Sequence, residues 1–326
     1  MRKIQIITIG LLFIPAVLTA QFKKAEKYAN SITAEELKEM LFTFASDEFE
    51  GRNTGEKGQK KAAEYIADFY VENNIKSPIA KNDYFQEIPT SFYDDEYPPT
   101  ENVLGFIPGK TDEIIVISAH YDHLGTKEGE VYNGADDDGS GSMAILEIAE
   151  AFKKAVDSGY QPKRGILFLH VTAEEKGLIG SDYYTKNPVF PLEQTISNLN
   201  IDMIGRVDKR HEDNPEYIYL IGSDRLSDDL HKISEKANNK TVKLALDYKY
   251  NKKTDPNRFY YRSDHYNFAK HDIPVIFYFN GTHQDYHQPT DTPDKINYDL
   301  LEKRTKLIFY TAWRLANKAQ KPALNK

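Results

Sequence analysis

The sequence predicts an α/β protein with a mixed, mostly parallel central sheet sandwiched between helices. Two observations predict this class. From Asp112 onward, short segments of nearly continuous apolar character recur along the chain, and amphipathic segments of helical period separate them. Strands of this character are typical of a sheet that helices cover on both faces. In such sheets the functional groups gather at the carboxyl ends of the strands.

The chain begins with MRKIQIITIGLLFIPAVLTA, which is typical of a secretory signal peptide. A basic start is followed by an apolar segment and by Ala20, a small residue at a plausible cleavage point. An uncleaved membrane anchor is the alternative, but Gln5 and Pro15 weaken a segment already at the short limit for spanning. We therefore expect a signal peptide over residues 1–20 and a single exported domain, periplasmic or extracellular, over residues 21–326.

The composition of the chain argues against several classes of function and modification. A chain of 326 residues with 40% hydrophobic residues, 22 Tyr and 17 Phe can bury a substantial core. A net charge of -8 without a stripe of Lys and Arg argues against nucleic-acid binding. The absence of cysteine excludes disulfides and a thiol for lipidation. We expect no membrane contact after signal removal, and the sequence does not specify the oligomeric state.

The elements follow in order along the chain. Two amphipathic helices, in residues 33–46 and 55–74, enclose a polar, glycine-rich loop, and the proline-rich residues 77–100 are irregular or an edge strand. The later elements are a strand in 113–122, a helix in 140–156, strands in 165–175, 196–206 and 216–222, a helix in 226–238, a weak strand in 242–248, a short helix after Ser263, a strand in 274–280 and a helix from about Tyr298 to Asn317.

Acidic and histidine residues follow several of these strands. His120 and Asp122, two residues apart, face the same side of the first strand, as a metal ligand and a carboxylate orienting its ring would. Asp136–Asp138 lie in a glycine-flanked turn before a helix, where three like charges repel unless a cation or water screens them. Asp202 stands at the end of another strand. A buried histidine and a solvated acidic turn are the ordinary alternatives.

Glu174 and Glu175 end the strand that contains GILFLHV. Adjacent residues on a strand point to opposite faces, so the two glutamates cannot do the same job. Either both are solvated or each has its own partner. The last strand is followed by GTHQDYHQPTD, which places two histidines in a loop. Four such strand ends at one sheet edge predict a metal site.

The motifs HYD, GADDDGSG, TAEEKGLIGS, NIDMIG and YHQPTD, in this order, resemble the co-catalytic zinc aminopeptidases of metallopeptidase clan MH. The resemblance covers about residues 30–318 and implies an eight-stranded, mainly parallel sheet without a protease-associated domain. It also implies two Zn²⁺ ions per chain. The implied ligands are His120 and Asp202 on one ion, Glu175 and His287 on the other, and Asp137 bridging both, in a register fixed by Ser140.

The resemblance further implies how these groups act. Glu174 falls on the general base, and the expected reaction is hydrolysis of N-terminal residues from peptides through a zinc-bound hydroxide. Asp122 falls on the carboxylate that orients His120. Tyr286 is a candidate donor to the oxyanion, with ordinary packing as the alternative. The partners implied are peptides with a free N-terminus.

Several assignments stay open. His283 could replace His287 as a ligand, although Asp291 stands where it could orient the ring of His287. Asp136 and Asp138 are expected to be turn residues.

Three further residues lie in segments that recur in the family. Ser263 could cap a helix and His265 could be a plain polar residue, or their segment could border the active site. Arg52 is expected to make at most an ion pair that fixes its loop.

Two other functions compete with the peptidase. A glutaminyl-peptide cyclotransferase uses the same fold with one zinc, but its bacterial forms tend to depart from the glutamate pair, which is intact here in AEEKG. A non-catalytic binding relative of this fold would have lost ligands, whereas this chain retains all five.

Overall fold

The computed structural model describes residues 23–93, 95–318 and 320–326. The predicted signal peptide, residues 1–20, lies outside the described residues. Within the described part of the chain, no helix is both long enough and apolar enough to cross a membrane.

The described strands form one large sheet and a small hairpin. Their bounds are β1 (Phe85–Ile88), β2 (Thr100–Ile107), β3 (Ile114–His120), β4 (Gly125–Lys127), β5 (Glu130–Tyr132), β6 (Gly165–Val171), β7 (Thr195–Ile201), β8 (Tyr217–Ile221), β9 (Ala245–Asp247) and β10 (Val275–Phe279). The large sheet has eight strands in the order β1-β2-β6-β3-β7-β10-β8-β9, and β4 pairs with β5.

The large sheet is mixed. β3 runs parallel to β6 and β7, β7 runs parallel to β10, and β8 runs parallel to β9. The pairs β1–β2, β2–β6 and β8–β10 are antiparallel. Helices flank this sheet, so the predicted fold class is confirmed.

Some of the helices begin after a polar residue whose side chain caps the first turn. Their bounds are α1 (Ala34–Phe44), α2 (Lys57–Glu72), α3 (Gly141–Asp157), α4 (Ile179–Lys186), α5 (Asp228–Lys240), α6 (His265–Ala269) and α7 (Tyr298–Asn317); residues 23–29 are also helical. The side chain of Thr33 accepts a hydrogen bond at the start of α1, and that of Asn297 does so at the start of α7. Each bond satisfies a backbone N–H that the helix itself leaves unpaired.

The core lies on both faces of the sheet. Along β3, Ile115 and Ile117 pack into one apolar cluster, while Ile114 and Val116 pack into the other. This alternation follows from the two-residue period of a strand. Both sets are apolar because helices cover both faces, as the nearly continuous apolar character predicted.

One strand of the large sheet was not predicted. β2 begins directly after Pro98 and Pro99, and it contains Gly105, so its sequence lacks the usual signals of a central strand. The glycine is required by packing, because a Cβ atom there would lie 2.7 Å from the Tyr70 ring. The hairpin of β4 and β5 and the helix α4 were also not predicted.

Candidate metal centre and active site

The predicted site residues converge at one edge of the large sheet. β6, β3, β7 and β10 are consecutive neighbours and mutually parallel, so their carboxyl ends meet there. The loops that leave these ends carry the predicted ligands. This confirms that one sheet edge collects the acidic and histidine residues.

The first group of ligands is built around His120, the last residue of β3. Its Nε2 lies 3.2 Å from Asp137 Oδ1 and 3.8 Å from Asp202 Oδ1. Two ligands that each lie about 2.0 to 2.1 Å from a tetrahedral zinc are about 3.3 Å apart. The three side chains therefore have the spacing of ligands to one ion.

The second group lies on the other oxygen of Asp137. His287 Nε2 is 3.1 Å from Asp137 Oδ2 and 3.3 Å from Glu175 Oε2. Asp137 thus offers one oxygen to each histidine. A carboxylate that bridges two metal ions needs this arrangement.

A third histidine, which sequence reasoning missed, joins the second group. His123 is fully buried, and its Nδ1 lies 2.9 Å from Glu175 Oε1 and 3.9 Å from Asp137 Oδ2. The chain reaches it three residues after His120, where β3 has already ended. Strand alternation therefore gives no direction for its side chain, and only its position in HYDH could have signalled a role.

Several buried atoms of the cluster lack hydrogen-bond partners among the described residues. They are Asp137 Oδ2, Glu175 Oε1 and both ring nitrogens of His123. Buried polar groups are normally hydrogen-bonded, so this concentration of exceptions indicates a ligand from outside the chain. Histidine nitrogens and carboxylate oxygens without sulfur suit Zn²⁺, and the histidines disfavour Ca²⁺ and Mg²⁺. The residues present therefore fit zinc.

Asp138 lies close to His120 and Asp202, and these three could hold a metal by distance alone. Its carboxylate is already engaged, however. It accepts hydrogen bonds from the backbone N–H groups of His120 at 3.2 Å, Gly141 at 3.0 Å and Met203 at 3.0 Å. Asp138 therefore ties the ends of β3 and β7 to the start of α3, and Asp137 is the better ligand.

Asp136 is also buried and engaged. Its Oδ1 accepts hydrogen bonds from Gly205 N at 2.6 Å and from the Ser140 hydroxyl at 3.1 Å. His283 Nε2 lies 3.0 Å from its Oδ2. Asp136 and Asp138 are thus turn residues by position, as predicted, but they are buried anchors of the loop.

His283 does not stand where a ligand to the second group would stand. Its ring instead contacts Asp136, which lies next to Asp137 in the segment Ala135–Ser140, here called the aspartate loop. Asp291 Oδ2 accepts the backbone N–H groups of Asp136 at 3.0 Å and of Asp137 at 3.1 Å. Asp291 therefore holds this loop, and His287 rather than His283 contacts Glu175.

The glutamate pair lies in a turn, since β6 ends at Val171. Ala173 has a positive φ of 53°, which redirects the chain just before the pair. Strand alternation is therefore the wrong reason for separating the two side chains. They nevertheless differ as predicted: Glu175 faces His123 and His287, while Glu174 lines the adjacent cavity.

Asp122 supports both the first histidine and the general-base candidate. The Nδ1 atom of His120 lies 3.1 Å from the backbone carbonyl of Asp122 and 3.8 Å from its carboxylate. The carboxylate instead accepts hydrogen bonds from Glu174 N and from the Thr54 hydroxyl, both at 3.1 Å. The predicted orienting role is therefore performed mainly by the carbonyl, and the carboxylate positions Glu174.

Ser263 does not cap a helix, contrary to one prediction. Its hydroxyl donates to Asp202 Oδ2 at 2.6 Å and accepts from Asn200 Nδ2 at 2.9 Å, so it positions a ligand. His265 is not a surface polar residue either. It is fully buried against Phe277, and burial lowers the pKa of its ring to about 3.

Arg52 makes contacts different from the predicted ion pair. It is fully buried, and its guanidinium donates to four backbone carbonyls. The acceptors are Phe44 at 3.1 Å, Tyr121 at 2.9 Å, Asn133 at 2.7 Å and Gly134 at 2.8 Å. Arg52 therefore joins the loop before α2 to the end of β3 and to the start of the aspartate loop.

The electrostatics of the ligand cluster favour a cation. Burial opposes ionisation of Asp137 and Glu175, yet contacts with histidines hold the pKa of Asp137 well below its ordinary value and that of Glu175 at about 2. Burial likewise opposes protonation of His287, but the two carboxylates raise its pKa to about 10. In the metal-free chain, protons on the histidines thus supply the positive charge that a metal would supply.

Glu174 differs from these ligands. Burial raises the pKa of its carboxyl well above the ordinary value, and the nearby His120 offsets this only in part. Asp264 is a second buried carboxyl, bonded to the Ser181 hydroxyl at 2.5 Å, and burial raises its pKa to about 7. Carboxyls with a raised pKa are suited to proton transfer, and that of Asp264 lies near neutral pH.

A cavity of about 30 Å³ opens beside the cluster. Its lining includes four of the five predicted ligands, all except Glu175, together with Glu174 and Tyr286. The ring of Tyr286 stacks on that of His287 with centroids 3.9 Å apart. Burial, together with the nearby carboxylates, raises the pKa of Tyr286, so its hydroxyl keeps the proton that an oxyanion donor needs.

Comparison with known proteins places this site in a family. The model of peptidase family M28 matches residues 102–312. A probable leucine aminopeptidase of Arthroderma otae is 31% identical over 222 residues, which cover 66% of this chain and 57% of that protein. The chain thus spans little more than half of that relative's length.

Solved structures share the fold at low identity. The zinc aminopeptidase BSAP from Bacillus subtilis matches with a TM-score of 0.68 and 17% identity, over 89% of this chain and 97% of that one. A glutaminyl cyclase of Bacteroides thetaiotaomicron, bound to N-acetylhistamine, matches with a TM-score of 0.66 and 18% identity, over 86% and 98%. The fold alone therefore does not separate the two activities.

Proposed function

Because the chain belongs to peptidase family M28, we propose that it is an exported, zinc-dependent aminopeptidase that removes N-terminal residues from peptides. The observation that carries the proposal is Asp137, whose two oxygens each face a histidine, at 3.2 Å from His120 and 3.1 Å from His287. A bridging carboxylate of this kind supports two metal ions.

We assign one zinc to His120, Asp137 and Asp202, and the second to Asp137, Glu175 and His287. His123 lies close enough to Glu175 to orient it or to join the second ion. The three anionic ligands offset three of the four positive charges, and an anionic water-derived ligand would offset the fourth. A nearly neutral cluster can be buried without a large desolvation cost.

Bound zinc lowers the pKa of water and polarises the carbonyl of the scissile bond. Glu174 is the free acid of the cavity, and its Oε atoms take the proton of the attacking water and pass it to the leaving amine. Asp122 fixes the backbone of Glu174, so the base keeps its position during the transfer. Tyr286 donates its hydroxyl proton in a hydrogen bond to the developing oxyanion.

The names of relatives support this reaction class. The curated match from Arthroderma otae is called a probable leucine aminopeptidase, and BSAP is called a zinc aminopeptidase. The cyclase alternative shares the fold. The intact pair of Glu174 and Glu175, and the position of Asp137 between two histidines, favour hydrolysis over cyclisation with one zinc.

The test compares Glu174→Gln with Glu175→Gln. Glutamine at 174 keeps the size of the side chain but cannot accept the proton, so turnover should fall by about 10²- to 10⁴-fold while both zinc ions stay bound. Glutamine at 175 removes an anionic ligand, so zinc content should fall together with turnover. Zinc stoichiometry and the hydrolysis of aminoacyl p-nitroanilides measure both effects.

The same experiment can refute the proposal. If Glu174→Gln loses zinc while Glu175→Gln keeps two ions, the assigned roles are reversed. If the wild-type protein binds one zinc and converts N-terminal glutamine to a cyclic product, it is a cyclotransferase. Full hydrolytic activity after confirmed removal of all metal would exclude a metallopeptidase.

A further inference from the structure

The cavity beside the ligand cluster has an apolar part. Met203, Phe259, Phe277 and Phe279 line it together with Glu174. A substrate residue next to the reacting carbonyl would therefore contact apolar walls. Its side chain would also lie near the acids of the site, so a negatively charged side chain would need a cation beside it to bind there.

One cationic side chain of the cavity lining has no ion-pair partner among the described residues. Arg262 lies at the cavity and is exposed, and its guanidinium carbon is 5.0 Å from the centroid of the Phe259 ring. Among the described residues, no carboxylate lies within 4.0 Å of this guanidinium, whereas Arg206 reaches Asp285 at 2.7 Å and Arg164 reaches Glu113 at 2.8 Å. Arg262 therefore offers its hydrogen-bond donors to the cavity without a partner from the chain.

The backbone of Arg262 is fixed relative to the metal ligands. Its N–H donates to the Phe259 carbonyl at 3.0 Å. The next residue, Ser263, donates to the ligand Asp202 at 2.6 Å. The backbone that carries the guanidinium is thus tied to a predicted metal ligand, which keeps Arg262 at the lining of the cavity.

We propose that Arg262 is a specificity-determining residue that binds a carboxylate of the substrate. The guanidinium is planar and presents paired N–H donors, which match the two oxygens of a carboxylate. The apolar walls favour the side chain of an N-terminal glutamate or aspartate, whose methylene groups would contact Phe259 while its carboxylate reaches Arg262. The inference rests on the proposed aminopeptidase function.

The carboxylate could have two sources in a peptide. One is the side chain of an acidic N-terminal residue, and the other is the C-terminal carboxylate of a dipeptide. Substrates that differ only in one group separate them. Glutamyl and glutaminyl p-nitroanilides have nearly the same size and differ in side-chain charge, while leucyl-glycine and its amide differ only at the C-terminus.

The experiment measures kcat/KM for these four substrates in the wild type, Arg262→Gln and Arg262→Lys. We expect the wild type to prefer glutamyl over glutaminyl substrate by about two- to fivefold, the selectivity of an exposed ion pair. Arg262→Gln should reduce this preference to about one, and Arg262→Lys should keep part of it. If the preference that Arg262→Gln abolishes is instead that for the dipeptide over its amide, the bound group is the C-terminal carboxylate.

Arg258→Gln provides the matched control. Arg258 is also exposed, its guanidinium carbon lies 5.0 Å from the centroid of the Tyr261 ring, and it lines a different cavity. Its substitution should leave both substrate ratios unchanged. The inference is wrong if Arg262→Gln leaves both ratios unchanged or if Arg258→Gln alters them equally.

A binding measurement separates this inference from the proposed function. In the zinc-loaded Glu174→Gln variant, glutamyl p-nitroanilide should raise the melting temperature more than glutaminyl p-nitroanilide, and Arg262→Gln should remove the difference. Absence of that difference overturns the role of Arg262 even where hydrolysis is observed. If no substrate is hydrolysed or cyclised by the zinc-loaded wild type, the proposed function fails and the inference fails with it.

Discussion

Buried charged groups at the amino ends of the parallel strands differ in their partners from those at the carboxyl ends. At the amino ends, Arg164 precedes β6, and its guanidinium donates to Glu113 at 2.8 Å and to the carbonyls of Leu315 and Lys318 at 2.7 and 2.6 Å. At the carboxyl ends, Asp137 and the residues around it leave buried atoms without hydrogen bonds among the described residues. The chain completes one edge with its own groups and leaves the other for a ligand.

This difference indicates that the amino-end edge contributes mainly to stability and the carboxyl-end edge mainly to metal binding. A buried charge that the chain pairs for itself keeps its partners with or without metal, and removal of one partner destabilises the fold. A buried cluster of acids and histidines without a metal costs free energy, which metal binding then returns. Mutations at the two edges should therefore have different effects on the unfolding free energy and on metal content.

The largest expected effect is that of Asp137→Ala. The change removes the oxygens shared by both histidine groups, so zinc content should fall by at least one ion per chain and turnover by more than about 10³-fold. The metal-free protein should stay folded and lose at most about 1 to 2 kcal/mol of unfolding free energy, because the histidines that face Asp137 can release their protons when their carboxylate partner is removed. Metal analysis and denaturation with a chelator present measure both quantities.

Asp138→Asn is the control for that comparison. Its Oδ1 atom still accepts the N–H groups of Gly141 and Met203, while the bond from His120 N is lost. We expect a loss of about 1 to 3 kcal/mol in stability with most of the zinc retained. Zinc loss from Asp138→Asn alone would show that the register of the ligand loop is displaced by one residue.

The next effect concerns the amino-end edge. Arg164→Met keeps apolar volume but leaves two carbonyls and Glu113 without their donor, so the unfolding free energy should fall by about 3 kcal/mol. Zinc stoichiometry and kcat should stay at the wild-type values. A variant that folds as stably as the wild type, or that loses zinc, would contradict the division between the two edges.

A smaller effect is expected from His123→Ala. The ring lies 2.9 Å from Glu175 Oε1, so its removal should weaken zinc binding at the second site by about 10- to 100-fold without unfolding the protein. Competition with a metal indicator measures the affinity. His231→Ala, at a histidine of α5 remote from the predicted ligands in sequence, is the control that should not change it.

The smallest effect concerns His170, the second-last residue of β6. Burial lowers the pKa of His170 to about 3 from an ordinary value of 6.5, and its Nε2 contacts the Tyr70 hydroxyl at 2.8 Å. Between these two pH values the unfolded chain binds the additional proton, so this group lowers stability as the pH falls below about 6.5.

The test of this pH dependence compares the wild type with His170→Gln in metal-free protein. Denaturant unfolding between pH 4 and 6 should show that the variant loses stability less steeply, by up to about 1.4 kcal/mol per pH unit. Equal slopes in the two proteins would show that His170 titrates normally. The buried His265 remains in both proteins and therefore cancels.

Much of this architecture could be predicted from the sequence because its signals are local. The strands β3, β6, β8 and β10 are mostly apolar, β7 is buried along its whole length although it contains Ser and Asn, and α7 was predicted at its observed bounds. β2 was missed because Gly105 serves packing against Tyr70, a contact between residues far apart in the chain. Packing of that kind leaves no periodic pattern in the sequence.

The site shows the same limit. The order and spacing of the motifs predicted the five ligands, and the structure brings all of them together. His123 was missed because its side-chain direction depends on the turn after β3. The carbonyl contact of Asp122 and the hydroxyl of Ser263 on Asp202 were also missed, since both depend on three-dimensional placement.

The four carbonyl contacts of Arg52 bear on how this protein could be shortened or transplanted. The family match begins at residue 102, fifty residues after this arginine. A chain cut at that boundary would keep the carbonyls of Tyr121, Asn133 and Gly134 but lose the guanidinium that holds them together. The region that the family model matches, residues 102–312, is therefore shorter than the region that must be kept together, which includes Arg52.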